Sequence, residues 1–142
     1  MAFYWGEVGC VKGEGDLRID SVSLHAGGWG LVVSDWGIRD RQVQRRFPQP
    51  PGAFTVRDAH QLSRYGFGHA PLTGRCPARR DQLMIVLARS GPASGGTPGV
   101  DLHFTNGTTT WLPIGMGVCR RSCDDGLDDR ISDAFRQTSP SK

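Results

Sequence analysis

The alternation of apolar and polar residues predicts a chain built mainly of short β-strands. Apolar residues occupy the odd positions 17 and 19 and then the even positions 22 and 24. Because successive side chains of a strand point to opposite faces, this change of phase at Asp20-Ser21 predicts a bulge or bend. Five consecutive apolar residues, Leu83 to Leu87, predict a strand that is covered on both faces.

A polar turn in the first third of the chain separates two extended runs. The runs cover 29–33 and 38–43, and the turn between them is Ser34-Asp35-Trp36-Gly37. A polar turn that ends in Gly between two such runs predicts a β-hairpin. Its second strand consists mostly of Arg and Gln, so we expect the face that carries Arg39, Arg41 and Arg45 to point outward.

The middle of the chain contains a proline loop followed by a helix signal. Three prolines between 48 and 51 exclude a helix or a central strand there. Thr55 and Asp58 then form a capping box, in which each side chain satisfies a backbone amide at the start of a helix. We therefore expect a short helix or helical turn, with Gly66 as the candidate residue that ends it.

The strongest local signal is an Asn-Gly pair between two runs of strand-forming residues. Asn106-Gly107 favours a type I′ turn, and a loop of two residues pairs His103 with Thr110. One predicted face is apolar and the other is polar. The apolar face contains Leu102, Phe104, Thr109 and Trp111, and the polar face contains His103, Thr105, Thr108 and Thr110.

The chain ends in a segment with helical spacing. Aspartates at 124, 125, 128 and 129 suit the start of a helix, where carboxylates complement the helix dipole. Apolar residues at 127, 131, 134 and 135 form one stripe. We expect an amphipathic C-terminal helix, followed by a disordered tail at 138–142.

Composition supports a β-rich fold of a single domain. The 142 residues include 15 Arg but 2 Lys, and 12 Asp but 2 Glu, together with 20 Gly and 9 Pro. Lys and Glu usually occupy exposed helix faces, and Gly and Pro favour turns, so this composition lowers the expected helix content.

The sequence contains neither an apolar run long enough to span a membrane nor a secretory signal. We therefore expect a cytoplasmic protein with reduced thiols.

Charge is distributed unevenly along the chain. Residues 38–89 carry 10 positive and 3 negative side chains, whereas 1–37 carry 2 positive and 5 negative ones. Such a basic segment attracts phosphate, anionic lipid or an acidic partner. The alternative, that Arg replaces Lys on solvated faces because of a GC-rich genome, remains open.

The order of these elements resembles the pleckstrin-homology and GRAM-like barrels of bacteria, in which a C-terminal helix caps a bent antiparallel sheet. The stretches that resemble them are 30–38, 86–89, 100–113 and 127–135. The resemblance implies a β-rich α+β fold, with a PH-like domain at 15–137 after an N-terminal segment at 1–14. The family's Trp followed by an acidic residue is absent, and the segments 48–51 and 66–82 are insertions relative to the family.

The resemblance implies a non-enzymatic module that binds a phosphoinositide-like headgroup, an anionic membrane or a protein segment. We expect Arg39, Arg41, Arg45 and Arg46 to form the binding face, because guanidinium groups match phosphate geometry. We expect no cofactor. A solvated strand edge, kept soluble by its charge, is the structural alternative for the same arginines.

Two other functions remain open. The same arginines would suit a nucleic-acid-binding protein or a phage or mobile-element accessory protein, with bases stacked on Trp29, Trp36, Trp111 or Tyr65. A small enzyme would instead use one of the histidines, with Ser63 near the first of them. These histidines are His60, His69 and His103, and the last is a secondary candidate site together with Thr105 and Thr110.

The cysteines allow one further interpretation. Cys119 and Cys123 have a spacing that zinc sites permit, and Cys76 and Cys10 would supply further thiolates. A second paired spacing is absent, so the sequence favours inert cysteines or a thiol pair, and we expect no metal.

Overall fold

Strands dominate the fold. The computed structural model describes residues 2–7, 11–12, 17–40, 62–76, 81–119 and 125–138. Within these ranges the chain forms eight strands, one 3-10 helix and one α-helix. In chain order they are β1 (Ala2–Glu7), β2 (Ile19–Leu24), β3 (Leu31–Asp40), the 3-10 helix (Leu62–Tyr65), β4 (Asp81–Arg89), β5 (Gly95–Thr97), β6 (Val100–Phe104), β7 (Thr109–Leu112), β8 (Met116–Val118) and α1 (Asp125–Thr138).

The first sheet places β4 between β1 and β3, with both pairs antiparallel. Residues 83–87 of β4 are at most 1% exposed, which confirms the predicted strand with two covered faces. Full burial of one such aliphatic side chain contributes about 1.5–3 kcal/mol. β1 belongs to this sheet, although the sequence placed residues 2–7 in a segment ahead of the domain.

The predicted hairpin with its turn at Ser34–Gly37 is wrong. β3 runs without interruption from Leu31 to Asp40 and pairs with β4 along its length. The polar residues of the expected turn are accommodated by a register shift between Val33 and Asp35. Continuous pairing to β4 outweighs the local turn signal, because each residue kept in register retains its ladder hydrogen bonds and its packing.

The second sheet has the order β2-β6-β7 and is also antiparallel. A register shift between Ile19 and Ser21 confirms the predicted bulge. The predicted register of the β6-β7 hairpin is wrong by one residue, because His103 pairs with Thr109. Gly107 alone in this loop adopts a positive φ, of 88°, whereas a type I′ turn needs two such residues.

The helix α1 packs on a short pair of strands, β5 and β8. It confirms the predicted C-terminal helix, and Leu127 and Ala134 of its apolar stripe are buried. The segment 91–99 includes β5, which is buried. Thr138 is the last residue of α1, and the rest of the expected tail lies outside the described residues.

The main core lies between the two larger sheets and contains residues of β2, β3, β4, β6 and β8. A second, smaller cluster forms on the other face of β4, where Leu62, Tyr65 and Phe67 cover Met84 and Val86. The β-rich, antiparallel fold class is therefore confirmed. The resemblance to the pleckstrin-homology family stays a prediction, as do the domain boundaries.

Candidate functional site

Arg39 is buried, contrary to the expectation that it points outward. Its side chain is 2% exposed, because this face of β3 is covered by the 3-10 helix and Phe67. Nε donates to Gln82 Oε1 at 2.8 Å, and a terminal nitrogen donates to the carbonyl of Tyr65 at 2.7 Å. The guanidinium carbon lies 4.4 Å from the centre of the Phe67 ring. Burial lowers the pKa of Arg39 from its ordinary value.

Arg41, Arg45 and Arg46, the other residues of the expected basic face, lie outside the described residues, as do His60 and the predicted capping box. Gly66 does end the helical turn at 62–65. It has a φ of 85°, and its amide donates to the carbonyl of Ser63.

A cleft opens at the end of β3, beside Arg39. It has a volume of about 410 Å³ and is lined by residues 38–40 of β3 and by residues of the segment 63–73. We call it the β3-end cleft. Phe67 and Pro71 supply apolar surface, whereas Ser63 and Thr73 supply hydroxyls. Ile38 and Gly68 exchange two backbone hydrogen bonds, which attach the segment 63–73 to the edge of β3.

A buried carboxylate holds the far end of this segment in place. Asp81 is 0% exposed and accepts hydrogen bonds from the amides of Thr73 and Gly74 and from the Thr73 hydroxyl. The same hydroxyl lies 3.0 Å from Asp40 Oδ2. Buried polar groups need such partners. Asp81 is the first residue of β4, so these hydrogen bonds attach one wall of the β3-end cleft to the start of that strand.

His103, the secondary candidate, has partners other than those expected. Its Nε2 lies 2.7 Å from Ser23 Oγ, and its Nδ1 lies 3.1 Å from Thr109 Oγ1. The amide of Thr105 instead donates a hydrogen bond to the carbonyl of Arg18. Thr110 pairs with Leu102, on the opposite face of the sheet. The shift of the hairpin register by one residue accounts for this change of partners. We call Ser23, His103 and Thr109 the His103 row.

A second group lies beside the His103 row on the same face of the sheet. His25 Nδ1 donates to Asp101 Oδ1 at 2.7 Å. The imidazole also stacks on Trp111, with ring centres 4.3 Å apart and planes inclined by 8°. Trp111 was expected on the apolar face, and the one-residue shift places it opposite Asp101 instead.

The cysteines contradict the expectation of reduced thiols. Cys76 and Cys119 are both disulfide-bonded, so neither is available to zinc. Cys123 and Cys10 lie outside the described residues. Among the described residues, no group of three or more His, Cys, Asp or Glu side chains is arranged to hold a metal ion.

The remaining candidates have structural partners. His69 stacks on Trp36, with ring centres 3.8 Å apart, and its Nε2 donates to the Trp36 carbonyl. Trp36 and Tyr65 are buried, which contradicts a role for them in stacking on bases. Arg130 lies over the ring of Trp29 at 4.3 Å.

Sequence reasoning missed Ser23, His25 and Asp101. The positions 21, 23 and 25 are polar and alternate, as are 101 and 103, so the sequence contains two polar strand faces. Only the pairing of β2 with β6 brings these faces together.

None of the described helices is both long and apolar enough to cross a membrane. A scan against protein-family models, a search of curated proteins and a search of solved structures found no match to this chain.

Proposed function

We propose that this chain is a binding module that takes a phosphate-bearing ligand at the β3-end cleft. The observation that carries this proposal is the coincidence of the cleft with the basic part of the chain. Every described residue that lines the cleft falls between 38 and 73, within the segment 38–89 that has 10 positive and 3 negative side chains. Clustered positive charge raises the local concentration of anions.

The burial of Arg39 favours binding at the cleft over binding at a flat basic face, because a buried guanidinium cannot belong to such a face. Its donors to Gln82 and Tyr65 fix the guanidinium against Phe67. The chain then passes from Asp40, in the wall of the cleft, directly to Arg41, and Arg46 follows within about 20 Å of extended chain. In this proposal Arg41, Arg45 and Arg46 bind the phosphate and the cleft accepts the rest of the ligand.

The resemblance to pleckstrin-homology and GRAM-like barrels agrees with such a role, because it implies a headgroup-binding module. A fold supports many functions, so the argument depends on the cleft and on the basic segment that contains its described lining residues. The nucleic-acid interpretation uses the same arginines and is an outcome of the same experiment. The predicted cytoplasmic localisation belongs to this proposal, although disulfide bonds are typical of oxidising compartments.

The experiment measures binding of the purified chain to phosphoinositide-containing vesicles, to neutral vesicles and to a 20-base-pair DNA duplex. The first variant replaces Arg41, Arg45 and Arg46 by Ser. The second, Gly68→Leu, adds bulk to the cleft wall where a Cβ would meet nothing within 4 Å. The control replaces Arg18 and Arg136 by Ser, two exposed arginines outside the basic segment.

We expect phosphoinositide vesicles to bind the parent and the control. We expect the triple Ser variant and Gly68→Leu each to lose at least tenfold in affinity for these vesicles. With three phosphate contacts on DNA, affinity would fall about 40-fold between 50 and 200 mM salt. Binding to DNA alone, with that salt dependence, supports the nucleic-acid interpretation. Equal binding of the parent and the triple Ser variant to every probe refutes the proposal.

A further inference from the structure

The His103 row joins a serine, a histidine and a threonine on three adjacent strands. Ser23 lies on β2, His103 on β6 and Thr109 on β7, and all three project from the side of the sheet away from the main core. The hydroxyls of Ser23 and Thr109 are exposed, whereas the imidazole is half-buried between them. The row therefore faces solvent and lies on a different sheet from the β3-end cleft.

One of the two tautomers of the imidazole gives the row a direction. A neutral imidazole carries one N–H and one bare nitrogen, and both nitrogens of His103 have a hydroxyl partner. When Nδ1–H donates to Thr109 Oγ1, the bare Nε2 accepts the proton of Ser23. A nucleophile, a base and a group that orients the base are then connected in series, which is the arrangement that activates serine.

We propose that Ser23 is a nucleophile that reacts with small carboxylic esters. Ser23 Oγ attacks the acyl carbon while its proton passes to His103 Nε2. The bond from the acyl carbon to the leaving oxygen then breaks, and His103 returns the proton to that oxygen. Water hydrolyses the acyl-serine by the same route, with His103 as base and Ser23 Oγ as the leaving group.

The groups beside the row differ in their part in this scheme. Asp101 lies opposite Ser23 in the register and precedes His103 by two residues on the same face, but its carboxylate accepts a hydrogen bond from His25. Thr109 is a positioning residue in this scheme, because it touches His103 but not the substrate.

The expected activity is modest because the row is open to solvent. A positioned general base contributes about 10²–10⁴-fold. We therefore expect aryl esters with good leaving groups to be cleaved faster than the background reaction by about that factor. A covalent probe gives a second readout, because a fluorophosphonate loses fluoride when Ser23 Oγ attacks its phosphorus.

The experiment uses the full chain with p-nitrophenyl acetate as substrate and a fluorophosphonate as the covalent probe, located by mass spectrometry of peptides. The variants are Ser23→Ala, His103→Gln, Thr109→Val and Thr109→Ser. The matched control is Ser21→Ala, since Ser21 is an exposed serine on the same face of β2. Circular dichroism and thermal melting show that each variant is folded.

We expect one adduct per chain at Ser23 in the parent and in Ser21→Ala, and none in Ser23→Ala. His103→Gln lowers labelling and ester hydrolysis at least 100-fold. Thr109→Val lowers both about tenfold, and Thr109→Ser restores them, which a purely structural role would not require. Labelling elsewhere than Ser23, or unchanged labelling in folded His103→Gln, overturns the proposal. Neither result bears on binding at the β3-end cleft.

Discussion

Arg39 joins the 3-10 helix to the first sheet through a single side chain. Tyr65 is the last residue of that helix, and its carbonyl accepts a hydrogen bond from the Arg39 guanidinium. Gln82 receives the second hydrogen bond across the β3-β4 pair. A guanidinium is planar and less strongly hydrated than an ammonium group, which suits burial against the Phe67 ring.

Replacing Arg39 by Met should lower the free energy of unfolding by about 2–4 kcal/mol. Met fills much of the volume but removes the hydrogen bonds from the guanidinium to the Tyr65 carbonyl and to Gln82 Oε1, and each buried group that loses such a bond costs about 1–3 kcal/mol. Urea denaturation measures the difference. Arg136→Met, at an exposed position of α1, should change it by about 0.5 kcal/mol or less. A similarly small change in Arg39→Met would mean that the guanidinium does not support the fold.

The elements that could be predicted are those that depend on local patterns. The bulge after Ile19, the strand at 83–87 and the C-terminal helix each follow from periodicity within a short stretch. The predictions for β3 and for the β6-β7 hairpin were wrong, because the pairing of these strands depends on other parts of the fold. β3 pairs with β4, whose residues lie between 41 (81 − 40) and 58 (89 − 31) positions later in the chain, and the polar residues at 34 and 35 do not end the strand.

The candidate site was predictable to a similar extent. His103 was recognised from its polar face, but its partner Ser23 lies 80 positions earlier in the chain. The arginine pattern after Ile38 suggested an exposed face, whereas the segment 62–67 covers residue 39. Alternation shows which residues share a face, but only tertiary packing decides which face is covered.

The contact of α1 with β5 depends on glycine at position 96. A Cβ there would lie 2.6 Å from the Trp29 ring and 2.9 Å from Ile131 of α1. We expect Gly96→Val to lower the free energy of unfolding by about 1–3 kcal/mol, because overpacking displaces one of these side chains.

Gly91→Val is the matched control for this prediction, since a Cβ at Gly91 meets nothing within 4 Å. Chemical denaturation followed by far-UV circular dichroism measures both variants. Equal stability of the two valine variants would show that α1 does not need this close approach.

At the scale of the whole molecule, the segment that lines the β3-end cleft is tied to the beginning of the chain. Val11 donates its amide to Gly74, Cys76 donates to Val11, and Leu72 donates to Leu17. Cys76 adds a disulfide bond at the end of this segment. Contacts between residues so distant in sequence close long loops, and the chain loses conformational entropy when such a loop closes. A disulfide bond stabilises the fold because it lowers the conformational entropy of the unfolded chain.

Reduction should therefore destabilise the chain by about 2–4 kcal/mol for each disulfide bond broken. Before reduction, denatured protein should show no alkylation at Cys76 or Cys119, whereas reductant should expose both to iodoacetamide. Protein produced in an oxidising compartment supplies the sample, and the Cys76→Ser variant tests the bond nearest the cleft. We expect that variant to weaken phosphoinositide binding while fluorophosphonate labelling of Ser23 persists, because the His103 row lies on the other sheet. Alkylation of Cys76 without reductant would contradict the bond, and parallel loss of both activities would mean that the two sheets unfold together.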